Sequence, residues 1–187
     1  MPRKHRAWFP GAMYHVTCRG NKQATIFDDR KDHQKYLTLI AESKELYPFS
    51  LHAYCLMCNH VHLLIETHKN PLTDIMRYIN TKYAMYFNNR YEVNGHVFQG
   101  RYDAKMIEDR SYFLNANRYI HLNPLEANIV TKLEDYPWSS YTSYFSSLSN
   151  PLVTSVKILS QFQEPQLENY LAFLFAPNPK KEEIPCR

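Results

Sequence analysis

The sequence predicts an α+β fold, a ferredoxin-like split βαβ antiparallel sheet with helices on one face and a helical C-terminal tail. Three observations favour it. The chain has 187 residues, 44% of them hydrophobic, which suffices for one well-packed core but is short for two. Two apolar runs, at residues 50–57 and 60–67, are separated only by Cys58-Asn59, as in a β-hairpin. Around this hairpin, strand-like and helix-like patterns follow in the order β-α-β-β-α-β-α.

Each element follows from its local pattern. Short apolar runs predict strands, and apolar residues recurring every three or four positions predict helices. In chain order these are strand 12–19, helix 30–46, strands 50–57 and 60–67, helix 72–90, strand 102–107 and helix 111–122. The last helix has Asp109 or Ser111 as its candidate N-cap. Because proline disfavours the α conformation at the preceding residue, Pro124 predicts that this helix ends at Asn123.

The C-terminal part is predicted to be an appendage. We assign residues 1–145 to the main domain and 146–187 to a linker and helical tail. The tail contains a linker at 146–150, a helix at about 164–175 and an end rich in Pro, Lys and Glu. The apolar residues of its helix pack either on the main domain, which we favour, or on a partner chain; they are Leu167, Leu171, Leu174 and Phe175.

Two histidines at the start of the second hairpin strand are a candidate metal site. In a strand, residues i and i+2 share a face, so His60 and His62 can converge on one ion. Two simpler interpretations remain open at this point. The imidazoles could face solvent, or they could be hydrogen-bonded core residues.

The last predicted helix carries a second candidate pair. Tyr119 and Asn123 are spaced i and i+4, so they lie on one face of its last turn. A phenol that can attack and an amide oxygen that can bind a metal would then be neighbours. The alternatives are that Tyr119 is an ordinary core tyrosine, one of fifteen in the chain, and that Asn123 caps the helix.

The charge pattern suits a nucleic acid. The net charge is only +4, but cations are interspersed with aromatic residues, and the first six residues are also basic. Cations neutralise phosphates and aromatic rings stack on unpaired bases, which is what a groove for single-stranded DNA requires. A solvated basic surface over an aromatic core is the alternative. The candidate cations are Arg19, Lys22, Arg77, Lys82, Arg101, Lys105 and Arg118.

Five ordered blocks of sequence carry a resemblance to a known family. They are Tyr14–Asn21, Ala53–Ile65, Gly95–Tyr102, Arg118–Pro124 and Trp138–Tyr141. In their order and in their residues they resemble the REP-associated tyrosine transposases, a group within the insertion-sequence-200-like transposases. These belong to the HUH single-strand DNA nucleases, which have a His-hydrophobic-His motif and one catalytic tyrosine. The resemblance covers about residues 8–145 and does not include the tail.

The resemblance implies a mechanism and a partner. It implies that residues 1–145 are a catalytic domain in which Tyr119 attacks DNA next to a hairpin and forms a 5′-phosphotyrosine. His60, His62 and Asn123 would hold Mg²⁺ or Mn²⁺. Asn123 departs from relatives that have Gln at this position. Among the cations, Arg19, Arg101 and Arg118 are favoured because they lie inside the matched blocks.

Two other functions and several general expectations complete the interpretation. The chain could be a hairpin-binding protein for DNA or RNA that does not cleave, or a metal-dependent hydrolase that uses water in place of tyrosine. Four cysteines without a repeated pairing pattern, no signal peptide and no apolar run long enough to span a bilayer indicate the cytoplasm and no membrane partner. A monomer is favoured over a homodimer.

Overall fold

The computed structural model of the chain describes residues 7–145 and 150–177. Within them the strands are β1 (Met13–Arg19), β2 (Phe49–Met57), β3 (His60–Thr67) and β4 (Asp103–Met106). They form a four-stranded antiparallel sheet in the order β2-β3-β1-β4. This order is that of a split βαβ sheet, in which the first and third strands lie in the centre. The predicted α+β class and sheet are confirmed.

The hairpin of β2 and β3 fixes which residues share a face of the sheet. Met57 pairs with His60 and Cys55 pairs with His62, on either side of a two-residue turn. On the other side of β3, the partner strand β1 places Thr17 opposite His62. Because side chains alternate along a strand, the two histidines lie on one face of the sheet.

One face of the sheet is covered by α1 (Arg30–Leu46) and α2 (Leu72–Tyr91). Alternate strand residues such as Val16 and Leu63 belong to this core. At the start of α1, Asp29 is the N-cap, and its carboxylate accepts hydrogen bonds from the backbone of the first turn. Arg90 of α2 forms ion pairs with this Asp29 and with buried Asp32 of α1, which joins the two helices.

The opposite face is covered by α3 (Arg110–Glu126), so the prediction that the helices share one face is wrong for this helix. Its apolar residues, among them Phe113 and Ile120, pack with Cys55 and Leu64 of the sheet in a second core. The reason is visible in the hairpin strands, which are buried along nearly their whole length. Strands that are apolar on both faces need cover on both.

The predicted end of α3 at Asn123 is also wrong, because the helix continues through Pro124 to Glu126. Proline lacks the N–H that an interior helix position donates, so one backbone hydrogen bond is lost. The helix nevertheless continues, since the amide of Ala127 donates to the carbonyl of Asn123 at 2.9 Å and Pro124 is buried. At the other end, Asp109 is the N-cap, and its carboxylate accepts from the amide of Tyr112 at 2.7 Å. Asn123 is therefore inside the last turn and does not cap the helix.

The tail packs on the α3 side of the sheet. Its helices are α4 (Val156–Leu159) and α5 (Gln166–Phe175), and Tyr170 and Leu174 of α5 are buried in the second core. Short 3-10 helices occur at Asn21–Gln23, Leu133–Asp135 and Tyr141–Tyr144. The basic residues 1–6, most of the predicted linker (146–149) and the end of the tail (178–187) lie outside the described residues. The division of the chain at residue 145 stays a prediction.

No helix in the described part of the chain is long and apolar enough to cross a membrane.

Candidate active site

Four aromatic side chains, those of three histidines and one tyrosine, meet between the sheet and α3, on the face that α3 covers. The ring of His62 lies 5.2 Å from that of Tyr119, centroid to centroid, and 5.2 Å from that of His15 in β1. The rings of His15 and Tyr119 are 5.8 Å apart. His60 is 4.9 Å from His62 and nearly perpendicular to it. The structure thus brings the predicted histidine pair and the predicted tyrosine together.

His62 has one ring nitrogen in contact with polar neighbours and one without a partner. Its side chain is buried, with 1% exposure. Its Nδ1 lies 3.1 Å from Nε2 of His15 and 3.3 Å from the hydroxyl of Thr17. Its Nε2 is buried without a hydrogen-bond partner among the described residues. Because buried polar atoms are almost always hydrogen-bonded, this nitrogen fits a metal ligand.

Burial also keeps this imidazole in the form that binds metals. Burial is the largest cause that holds the pKa of His62 well below its usual value, and the neighbouring His15, His60 and Arg19 add to it. The ring is therefore neutral at physiological pH. A metal needs the lone pair of a neutral imidazole, so the protonation state of His62 suits this role.

His60 and Asn123 face each other at the edge of this cluster. Nδ1 of His60 lies 2.7 Å from the amide oxygen of Asn59, the turn residue before it. Burial is the largest cause that lowers the pKa of His60, and a hydrogen bond with the side chain of Asn123 opposes this shift. The amide nitrogen of Asn123 donates to the carbonyl of Tyr119 at 3.3 Å. This leaves its amide oxygen as the atom that faces the histidine.

His15 is the functional candidate that sequence reasoning missed. It is 5% exposed, and burial is the largest cause that lowers its pKa to about 4, with Lys105 lowering it further and Asp103 opposing the shift. No histidine stands near it in sequence. It reaches His62 only because β1 pairs with β3, and its place in the first block, two residues before Thr17, is the signal that could have indicated it.

Of the predicted cations, Arg19 and Lys105 lie beside the cluster. Arg19 pairs with His60 across β1 and β3, and its charge lowers the pKa of both histidines of the pair. Lys105 pairs with His15 across β1 and β4. Its ammonium group lies 4.9 Å from the ring of Tyr112 in the first turn of α3. These two cations are on the same face of the sheet as the histidines.

Two further cations lie near the strand ends. Lys22 is exposed in the 3-10 helix that follows β1, and Arg101 is exposed just before β4. The backbone joins the two segments, because the amide of Gln99 donates to the carbonyl of Arg19 at 2.9 Å. Both cations are free of the second core, and their DNA-binding role stays a prediction.

The remaining cations are not brought to the cluster. Arg77 and Lys82 belong to α2, on the opposite face of the sheet, and Arg77 donates to Asp74 of its own helix at 3.1 Å. Arg118 neighbours Tyr119 in sequence but donates to the carbonyl of Ala176, and its guanidinium lies 5.5 Å from the ring of Phe173. Arg118 therefore holds the end of α5 against α3.

The possible metal ligands are two imidazoles and one amide. Within residues 7–145 and 150–177, no group of three or more His, Cys, Asp or Glu side chains is placed to hold a metal ion. The residues that fit are His62, through its unpartnered Nε2, with His60 and Asn123 beside it. Such a set leaves coordination positions open, which is the arrangement of a catalytic site and differs from a closed structural one.

The fold and the site together indicate the class of protein. The two central strands of a ferredoxin-like sheet carry histidines, and these contact a tyrosine on the helix that covers the sheet. Residues 9–123, which include the whole sheet together with Tyr119 and Asn123, match the family described as Transposase IS200 like. The chain belongs to this family of transposases.

Two similar proteins are informative. A protein from Haemophilus influenzae named as a REP-associated tyrosine transposase is 29% identical over 109 residues, which are 52% of this chain and 61% of that protein. The chain thus aligns with about three fifths of that relative's length. A solved structure of a REP-associated tyrosine transposase bound to a REP hairpin superimposes with a TM-score of 0.66 at 18% identity, covering 83% of this chain and 90% of that one. That likeness shows the fold.

Proposed function

We propose that this protein is a metal-dependent endonuclease and transposase for single-stranded DNA, which cleaves and rejoins a strand next to a hairpin through a 5′-phosphotyrosine. The observation that carries the proposal is the position of Tyr119. Its ring lies against that of His62, whose Nε2 is buried without a partner in the described part of the chain. A nucleophile beside an unused metal ligand is the minimum that metal-assisted phosphoryl transfer requires. Membership of the IS200-like transposases supports the same reaction.

Tyr119 is the nucleophile in this reaction. Its phenolic oxygen attacks the phosphorus of the scissile phosphodiester, and the bond from phosphorus to the 3′-oxygen breaks. The phenol loses its proton, and the departing 3′-oxygen gains one and becomes a hydroxyl. The DNA 5′ end is then joined to the protein as a phosphotyrosine. A 3′-hydroxyl attacking that phosphotyrosine reverses the same steps and rejoins the strand without an external energy source.

His60, His62 and Asn123 would hold a divalent metal ion. When bound, such an ion supplies positive charge next to a non-bridging phosphate oxygen and so stabilises the charge of the transition state. A set of two nitrogens and one oxygen accepts Mg²⁺ and suits Mn²⁺ better, because imidazole is a softer ligand than oxygen. The short contact between His60 and Asn59 orients the first imidazole.

Single-stranded DNA with a hairpin is the proposed substrate. Arg19 and Lys105 flank the histidines on the face where Tyr119 lies, which supports a role for them in neutralising phosphates near the cleaved bond. The solved transposase with the same fold is bound to a REP hairpin, which supports a hairpin for this chain as well. In this proposal the scissile phosphate lies in an unpaired segment, because aromatic stacking and close tracking of the backbone need unpaired nucleotides.

A covalent adduct tests the proposal. The protein is incubated with Mn²⁺ or Mg²⁺ and a labelled strand that contains a hairpin with single-stranded flanks, then denatured and separated by size. We expect a labelled protein band in the wild type and none in Tyr119→Phe, which lacks only the hydroxyl. Tyr112→Phe is the matched control. It lies two turns earlier on the same helix, and its buried hydroxyl has no hydrogen-bond partner among the described residues.

Each other outcome has a definite meaning. Cleavage that survives in Tyr119→Phe without an adduct indicates water as the nucleophile. An adduct that is lost in Tyr112→Phe instead indicates that Tyr112, and not Tyr119, is the nucleophile. A wild type that binds the hairpin but neither cuts nor forms an adduct with either metal would be a hairpin-binding protein without cleavage activity.

A further inference from the structure

The inference concerns His15, which lies on the other side of His62 from His60. Nε2 of His15 lies 3.1 Å from Nδ1 of His62, and both rings are buried. A neutral imidazole carries one proton, on Nδ1 or on Nε2. If that proton is on Nδ1, His62 donates to His15 and its Nε2 lone pair is available. If it is on Nε2, the same nitrogen cannot bind a metal.

We propose that His15 is a positioning residue, which accepts a hydrogen bond from Nδ1 of His62 and so fixes the tautomer and the ring orientation in which Nε2 of His62 can bind the metal. The inference rests on the proposed function in that it takes Nε2 as the ligand atom. Histidines that bind metals commonly donate their other N–H to a carboxylate, a carbonyl or a water. Here a second imidazole has that role.

Of the two polar neighbours of Nδ1 of His62, His15 is the closer and the less free to rotate. The other neighbour, the hydroxyl of Thr17, is at 3.3 Å and can rotate to donate or to accept. The ring of His15 also lies 5.2 Å from that of His62 and 5.8 Å from that of Tyr119, centroid to centroid, so it contacts both the proposed ligand and the proposed nucleophile. Packing on two sides restricts the rotation of His15. With Nε2 of His15 as the acceptor, Nδ1 of His62 carries the proton, whereas the rotating hydroxyl of Thr17 is compatible with either tautomer of His62.

The first test needs neither DNA nor cleavage. Histidine is labelled with ¹⁵N in the metal-free protein, and long-range ¹H–¹⁵N correlation spectra report which ring nitrogen carries the proton. The signals of His62 are assigned by their loss in His62→Ala. We expect His62 to carry its proton on Nδ1. A proton on Nε2 would overturn the inference.

The second test measures Mn²⁺ affinity by calorimetry or electron paramagnetic resonance. His15→Leu, which removes the acceptor, should weaken Mn²⁺ binding by about 10–100-fold. His15→Gln, which restores an acceptor oxygen, should recover most of that loss. Thr17→Val is the matched control and should bind Mn²⁺ nearly as the wild type does.

The outcomes separate this inference from the proposed function. If folded His15→Leu binds Mn²⁺ as tightly as the wild type, or if Thr17→Val has the larger effect, His15 does not have this role. If His15→Leu does not fold, the tautomer in the wild type decides alone. Tyr119 could still be the nucleophile after either failure, and a failed adduct experiment would leave the tautomer result unchanged.

Discussion

Tyr170 of α5 is at the centre of a fully buried polar network behind the candidate site. Its hydroxyl donates to the amide oxygen of Asn117 at 3.0 Å and lies 2.7 Å from Nδ1 of His121, both in α3. Asn117 in turn donates to the hydroxyl of Tyr144 at 2.6 Å, and Tyr144 donates to the carbonyl of His52 in β2 at 2.7 Å. The network therefore joins the tail to the helix of Tyr119 and to the sheet.

Replacing Tyr170 by Phe removes one oxygen and keeps the ring, which stacks on that of Tyr144 at 5.0 Å. Two buried groups then lose a partner, namely the amide oxygen of Asn117 and the Nδ1 of His121. A buried polar group left unpaired costs about 1–3 kcal/mol. We therefore expect the free energy of unfolding to fall by about 2–6 kcal/mol, a large effect for one atom.

Equilibrium unfolding in urea measures this difference through the midpoint at constant m-value. The matched control is Tyr78→Phe. The hydroxyl of Tyr78 donates to the half-exposed carboxylate of Glu42 at 3.0 Å, and its removal should change stability by less than about 0.5 kcal/mol. If Tyr170→Phe unfolds at the same midpoint as the wild type, the network does not stabilise the fold and the reasoning is refuted.

Three further predictions concern the candidate site and the buried network behind it. His62→Ala should abolish adduct formation but leave hairpin affinity nearly unchanged, because the cations proposed to bind phosphates remain; a large loss of affinity would contradict this. Arg19→Ala should weaken hairpin binding and reduce its salt dependence, whereas Arg77→Ala on α2 should do neither, as measured by anisotropy titrations at several salt concentrations. Burial lowers the pKa of His121 to about 3 from the usual 6.5, so the folded protein binds fewer protons than the unfolded chain between these values. The contribution of neutral His121 to the free energy of unfolding is therefore complete above pH 6.5 and is lost toward pH 3, by up to about 1.4 kcal/mol per pH unit. In acid unfolding, His121→Gln should lose stability less steeply with falling pH than the wild type does.

Local patterns were sufficient for most of the fold. The hairpin and the first two helices were predicted to within one residue because their apolar periodicity is strong and the turn at Cys58-Asn59 is short. The predicted end of α3 was wrong because burial of Pro124 outweighs the preference of the preceding residue for a non-helical conformation. The face that α3 covers could not be inferred, since a strand that is apolar on both sides does not say where the next helix goes.

The same division applies to the site. His60 and His62 at i and i+2, and Tyr119 and Asn123 at i and i+4, lie together because each spacing acts within one element; their chemical roles stay predictions. His15 depends on the pairing of β1 with β3, which sequence spacing does not encode. The directions of the cationic side chains depend even less on the local sequence. Arg118 turns to the end of α5, and Arg77 lies behind the sheet.

The separation of these residues along the chain has a consequence for protein synthesis. His62 precedes Tyr119 by 57 residues, and α3 is the first element that can bring the phenol to the histidines. At roughly 5–20 residues per second, a ribosome takes about 3–11 seconds to translate that interval. During this time the nascent chain contains His60 and His62 but not yet Tyr119. A chain interrupted before Tyr119 would contain the imidazole pair but could never become covalently joined to DNA through this tyrosine.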